Sequence, residues 1–463
     1  MVSQKIPAST NPAFAALAAN SLREGCAAIA TASMSAAAPR AGAAKRGLKR
    51  ARTAPEAQVV LLEDKNGLLR WDYWPQAGVR AAGAGVARRR GLANRYRAVS
   101  AGANILGVAD VPRVGPNQIS AKLQQLDQKL TPERGLRPVV HGAMAAADPA
   151  IRLDGATRLL LLIHGTFSKG DMYMKEFQAT PEGKALLASL GRRYSHICGF
   201  DHPTLSASTM VNGVNLEAAL SKSGLPPGMP IDVVCHSRGG LVAAWWARHS
   251  RFTIEKIVSA GATYQGTTLA SPYRIRQLLD HFATVAKIVS SGLGQAAAVP
   301  TLASGFLAGA GGLMGVLGHI TKGLSALPLA DAGIALVPGL QSMSYVNNNL
   351  ELDALWQDGL APMGNGPREL FVIAANYEPA NDAPWWNLWQ QLKSVPMQAA
   401  NSLADSLFDD WNDLVVDTRN MRPKETIAVA DSLVYAASDH VHHVNYFSQP
   451  RTVAHLAKWL KIP

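Results

Sequence analysis

Four short, largely aliphatic runs constrain this chain most: Leu159–Ile163, 231–235, Thr253–Ala260 and 370–375. The first is apolar at every position. A strand without alternation is covered on both faces, the condition of a parallel sheet packed between helices. Helical patterns at 183–190, 215–220 and 241–249, with a short strand at 196–200, fill the gaps between these runs. Strand–helix alternation of this kind predicts an α/β domain with a mostly parallel sheet flanked by helices. The length of 463 residues leaves room for a second unit, and a hydrophobic content of 48% excludes a wholly disordered chain. Three cysteines in such a length exclude a disulfide-stapled scaffold and fit a reducing compartment.

The second run feeds Val234-Cys235-His236-Ser237-Arg238-Gly239-Gly240, and a helix begins at once. A serine at the apex of a tight strand-to-helix turn stands above the sheet with its side chain exposed to a substrate. The free N–H groups of the helix start face whatever it attacks. Small residues beside the apex allow strand and helix backbones to approach. The plainer alternative is a serine that merely caps a helix.

This segment resembles the nucleophile elbow of the α/β-hydrolase superfamily, in its bacterial lipase and esterase branch. Cys235 stands where glycine is usual. Three other stretches agree: His164-Gly165-Thr166, Gln265-Gly266-Thr267-Thr268-Leu269-Ala270, and Asn412-Asp413-Leu414-Val415-Val416, the last with Leu414 in place of the usual glycine. The resemblance implies an α/β-hydrolase fold with a helical lid, and a serine hydrolase that cleaves a carboxylic ester through an acyl-enzyme. It implies Ser237 as nucleophile, Asp413 as acid and His443 as base, in the chain order Ser, Asp, His. Asp417 and Asp410 stay open as acids, and His442 and then His440 as bases. The backbone N–H groups of Thr166 and Arg238 are the implied oxyanion donors. Asp439, His440, His442 and His443 form no recognised metal pattern, and no metal or organic cofactor is expected.

Outside the core, residues 1–57 are Ala-rich and basic, and are expected to form a disordered arm. The first 100 residues carry 16 Lys and Arg against 5 Asp and Glu, so nearly all of the formal charge of +12 lies there. Residues 58–155 form an N-terminal extension with a β-hairpin about Asn66-Gly67 and a helix over 117–130. The hydrolase domain spans 156–463. It carries a long insertion at 273–369, expected as a helical cap, and a second at 381–409 with Trp385, Trp386 and Trp389. Residues 288–321 hold no Lys, Arg, Asp or Glu. A single membrane span there would separate parts of one sheet, so a cap is the better expectation. The expected partner is a small-molecule or lipid ester, with peripheral membrane contact allowed through the cap and the basic arm. No specific nucleic acid is expected. No secretory signal is visible, which points to the cytoplasm. The rival reading is a catalytically inert hydrolase-fold binding protein whose arm docks on anionic membrane or nucleic acid.

Overall fold

The aliphatic runs become the centre of an eight-stranded sheet. A computed structural model describes residues 12–30, 57–64, 67–75, 103–112, 114, 118–267, 270, 279–280, 283–287, 299–324, 337–345, 349–357, 367–378 and 412–463. Strands β4 (Gly135–Val140), β5 (Ala143–Met144), β6 (Leu159–Ile163), β7 (His196–Asp201), β8 (Pro230–His236), β9 (Thr253–Ala260), β10 (Glu369–Ala375) and β11 (Asp431–Tyr435) lie in the order β11-β10-β9-β8-β6-β7-β4-β5. The six from β11 to β7 are parallel, and β4 and β5 add an antiparallel edge. All five residues of β6 are buried, as a strand covered on both faces requires. The sheet begins at β4, so the α/β unit starts about twenty residues before the expected boundary at 156. Pro138 and the antiparallel edge position hide β4 from a pattern search.

The chain runs from β6 to β7 on one side, then returns to place β8 on the other side of β6. The carboxyl ends of β6 and β8 therefore flank a topological switch point, where open α/β sheets form a crevice. The helices α3 (Asp171–Gln178), α4 (Pro181–Leu190) and α9 (Pro450–Trp459) pack as one group, and α5 (Thr209–Lys222) packs on α6 (Gly239–His249).

The front of the chain corrects one expectation. Residues 12–30, assigned above to a disordered arm, form helix α1 (Pro12–Ala30). Phe14, Ala18, Leu22, Cys26 and Ile29 are buried along one stripe. The small side chains that lowered the apparent core content permit close helix packing instead. Strands β1 (Ala57–Glu63), β2 (Leu69–Pro75) and β3 (Asn104–Val111) form a three-stranded antiparallel sheet in the order β2-β1-β3, with the expected hairpin between β1 and β2. Helix α2 (Ile119–Leu130) follows. Residues 1–11 and 31–56, the Arg88–Arg90 run, the 381–409 insertion and Asp410 lie outside the described residues.

Within the long insertion, α7 (Val299–Leu324) packs against α1, α2, β1 and β2. Its glycines explain the uncharged stretch. A Cβ on Gly311 would press on Leu22 and Trp71, and one on Gly315 would press on Ile29. The Cys26 Sγ reaches the Gly311 carbonyl at 3.7 Å. Across residues 303–317 the run is thus apolar because protein covers it. No helix among the described residues is long and apolar enough to cross a membrane. Helix α8 (Leu350–Gln357) touches α6.

Leu22 fills the notch between Gly107 of β3 and Gly311 of α7. Leu22→Ala is expected to lower unfolding free energy by about 2 to 5 kcal/mol through lost transfer energy and a residual cavity. Chemical denaturation measures it, and a change below about 0.5 kcal/mol would contradict the docking of α1.

Candidate active site

The turn after β8 holds Ser237 at φ +54°, a left-handed backbone that non-glycine residues seldom adopt. Its N–H donates to the Ala260 carbonyl at 3.0 Å, so the β8–β9 ladder fixes the strained residue. Helix α6 begins two residues later, and a Cβ on Gly239 would overlap the Ile163 carbonyl of β6. That close approach explains the need for a small residue there. Cys235, in the position where glycine is usual, is buried with its Sγ 3.6 Å from the Val258 carbonyl.

His443 enters from the loop after β11. Its Nε2 lies 2.9 Å from Ser237 Oγ, and its Nδ1 lies 2.8 Å from Asp413 Oδ2. The loop carrying Asp413 is fastened to the end of β10, because Tyr377 N–H donates to the Asn412 carbonyl at 2.7 Å. Asp413 is fully buried. Its Oδ1 accepts the Val415 and Val416 N–H groups at 3.1 and 2.8 Å, and its Oδ2 also accepts the Tyr446 hydroxyl at 2.8 Å. Besides the imidazole, then, three donors aim this carboxylate. The His443 N–H donates to the Asp413 carbonyl at 2.9 Å, which locks the two loops together. Leu414 keeps the positive φ (+84°) that the usual glycine would supply. Its N–H donates to Asn412 Oδ1 at 2.9 Å and its side chain is buried, which offsets the strain.

The alternatives go elsewhere. His442 is buried, and its Nδ1 accepts the Val444 N–H at 3.3 Å. Burial lowers its pKa to about 3, so it is a neutral packing residue against Tyr377. Asp417 bonds Asn420 in its own loop. His440 is exposed, with Nδ1 2.6 Å from the Glu378 carbonyl. Asp439 accepts from the Ala436 N–H and pairs with Arg451. Asp201 pairs with Arg137 at 2.7 Å, and His202 stacks on His164. Among the described residues, no group of three His, Cys, Asp or Glu side chains is placed to hold a metal ion.

The two expected backbone donors, on Thr166 and Arg238, follow the carboxyl ends of β6 and β8. Among the described residues, neither the Arg238 N–H nor the Thr166 N–H has a protein acceptor. Gly165 lies so close to the nucleophile that a Cβ there would sit 2.6 Å from Ser237 Cβ. The Arg238 side chain turns away from the site and is fully buried. Its Nη2 donates to the Ala207 carbonyl at 2.6 Å and its Nε to the Gly339 carbonyl at 3.3 Å. Burial lowers its pKa to about 10, which leaves it charged at neutral pH.

Sequence reasoning missed several supports. Tyr446 and Gly261 are invisible without the fold. Gly261 has φ +54°, and a Cβ there would sit 2.7 Å from Tyr446 Cε2 and 3.0 Å from Asp413 Oδ2. His236 donates from Nε2 to the His443 carbonyl at 2.7 Å, and burial keeps it neutral. Glu176 on α3 accepts the Phe447 N–H at 2.8 Å, and burial raises its carboxyl pKa to about 8.

The chain's sheet order, its switch point and the strand–Ser237–helix turn are those of an α/β-hydrolase fold. A family model described as a domain of unknown function (DUF7379) matches residues 136–461. The chain belongs to the DUF7379 family. The matched region of this DUF7379 protein starts within β4 and so contains the whole sheet but its first residue. No curated protein matches the chain. Among solved structures, the chain is similar to the mature form of a Bacillus licheniformis lipase, at 14% identity and a TM-score of 0.36, covering 68% of this chain and 93% of that one. It is similar to lipase 1 of Pelosinus fermentans at 12% identity and a TM-score of 0.37, covering 66% and 98%. A thermophilic esterase of Thermogutta terrifontis stands at 14% and 0.37, covering 65% and 89%.

The buried Glu176 gives a pH signature to this DUF7379 protein. An unfolded glutamate releases its proton near 4.5, whereas the folded one keeps it to about 8. Across that window the folded state binds more protons, so this group makes stability fall as pH rises. Glu176→Gln is expected to remove that slope, leaving the variant relatively more stable at pH 8.5 than at pH 5. Urea midpoints at both pH values check it, and a gap that does not change with pH would contradict it.

Proposed function

We propose that the protein is a serine carboxylic-ester hydrolase, lipase- or esterase-like, acting on an apolar acyl ester. Ser237 Oγ attacks the ester carbonyl while His443 Nε2 takes its proton. Asp413 holds the proton on His443 Nδ1 and stabilises the imidazolium. The carbonyl oxygen becomes an oxyanion, received by the Thr166 and Arg238 N–H groups. Collapse expels the alcohol with the proton from His443 and leaves an acyl-serine. Water then attacks the acyl group by the same proton path and restores the free serine.

One observation carries this reading: the relay from Ser237 to His443 to Asp413 at 2.9 and 2.8 Å, ending on a carboxylate whose other partners are all donors. A structural serine needs no such relay. A cleft of about 260 Å³ opens beside Phe167, the residue after Thr166, between Leu130, Met172 and Gly305, and Ser237 is not among the residues that line it.

A fluorophosphonate probe tests the proposal directly, because it phosphonylates only an activated serine. The expected result is stoichiometric labelling at Ser237, located by peptide mass spectrometry. Folded protein that stays unlabelled would favour the inert binding protein.

A further inference from the structure

The peptide next to Thr166 and the side chain of Arg238 are both tied to one segment, residues 204–207. On one side, the Phe167 N–H, adjoining the Thr166 peptide, donates to Thr204 Oγ1 at 3.4 Å. On the other, the Arg238 guanidinium donates to the Ala207 carbonyl at 2.6 Å. The segment is gripped in turn by Asp127, a fully buried carboxylate on α2. Asp127 Oδ1 accepts the Thr204 N–H at 2.9 Å, the Leu205 N–H at 3.0 Å and the Thr204 hydroxyl at 3.4 Å. Its Oδ2 accepts the Ser206 N–H at 2.7 Å and the Ser206 hydroxyl at 2.6 Å. Thr204 thus donates its hydroxyl proton to Asp127 and offers its lone pair to Phe167. The direction of each bond follows from the chemistry of the pair.

Phe167 is held from the opposite side as well. Its backbone is left-handed at φ +55°. A Cβ on Gly309 of α7 would overlap its ring, and one on Gly305 would sit 2.7 Å from its carbonyl oxygen. A strained residue persists only where its surroundings over-determine it. Here those surroundings are Thr204 and the glycine face of α7.

We propose that Asp127, Thr204 and the Gly305/Gly309 face of α7 are positioning residues that aim the Thr166 and Arg238 N–H groups at the developing oxyanion. Asp127 lies outside the family-matched residues 136–461. The N-terminal extension therefore completes a site whose reacting groups all lie in the hydrolase unit. This proposal rests on the serine-hydrolase reading above.

The test compares Thr204→Val, which keeps the shape and loses the hydroxyl, with Thr204→Ser, which keeps the hydroxyl. Two readouts are taken: kcat and KM on p-nitrophenyl butyrate, and inhibition by an aryl trifluoromethyl ketone. In the second, Ser237 Oγ adds to the ketone carbon, its proton passes to His443, and the carbonyl oxygen becomes the oxyanion that the two N–H groups hold. Thr204→Val is expected to lower kcat and weaken ketone inhibition by about 10-fold each, with KM within about twofold. Thr204→Ser is expected to restore most of both. If Thr204→Val does not fold, Gly309→Ala reads the same turn from the α7 side and is expected to cut kcat by about 10-fold. An active wild type whose variants keep kcat and ketone affinity, or change KM alone, overturns the proposal. A wild type that neither turns over the ester nor binds the ketone overturns the hydrolase reading itself and this inference with it.

Discussion

Under the proposed function, Ser237→Ala is expected to lower ester turnover by about 10⁴- to 10⁶-fold while leaving the fold and substrate affinity intact. The hydroxyl is the only group removed. Alanine keeps the Cβ that Gly165 was shaped to accommodate and accepts the same left-handed backbone no worse than serine does. Without Oγ, His443 Nε2 loses its 2.9 Å partner, and the general base has no proton to take. Residual turnover then comes from the oxyanion donors and from binding alone. The measurement is kcat on an activated ester, with a thermal melt to show that the variant is folded. A loss smaller than tenfold would move the nucleophile elsewhere.

Asp413→Asn is the second large effect, expected at about 10⁴-fold in kcat. An amide has nearly the shape of a carboxylate, so packing around the fully buried position changes little. Its hydrogen bonding does change. The present oxygens receive only donors: the His443 Nδ1–H and Tyr446 hydroxyl on one side, the Val415 and Val416 N–H groups on the other. Whichever way the asparagine amide is turned, its NH₂ meets at least one of these donors. If it faces His443, the imidazole must carry its proton on Nε2 and can no longer accept from Ser237. If it faces the backbone, two buried N–H groups lose their acceptor, each at about 1 to 3 kcal/mol. Thus either orientation costs activity or stability, and kcat measured beside the urea midpoint tells which one the variant adopts. Retention of both would remove Asp413 from the relay.

The parts of this protein visible in the sequence are those whose signal is local. Leu159–Ile163 reads as a doubly covered strand because every residue is apolar, and the Ser237 turn reads from its neighbours alone. Strand β11 escapes notice because it is a sheet edge with Val434 exposed, so its pattern is mixed. Helix α1 carries an apolar stripe at helical spacing, but its many alanines look like a sparse core until α7 is set against them. The sequence favours His443 as base and leaves His442 open, and the fold sets the two apart, one residue from each other with opposite surroundings. Asp127, Tyr446 and Gly261 carry no local signature at all. Their roles arise where distant segments meet, at separations of 77 residues for Asp127 and Thr204 and 33 for Asp413 and Tyr446.

The proposed reacting groups all stand at one rim of the sheet, where β8 ends just before Ser237 and β11 leads to His443. The connections entering β7, β8 and β9, near residues 191–195, 223–229 and 250–252, join helices to the amino ends of strands. Under the proposed function, a fluorophore, an affinity handle or a surface tether attached there is expected to leave the rate of ester cleavage unchanged.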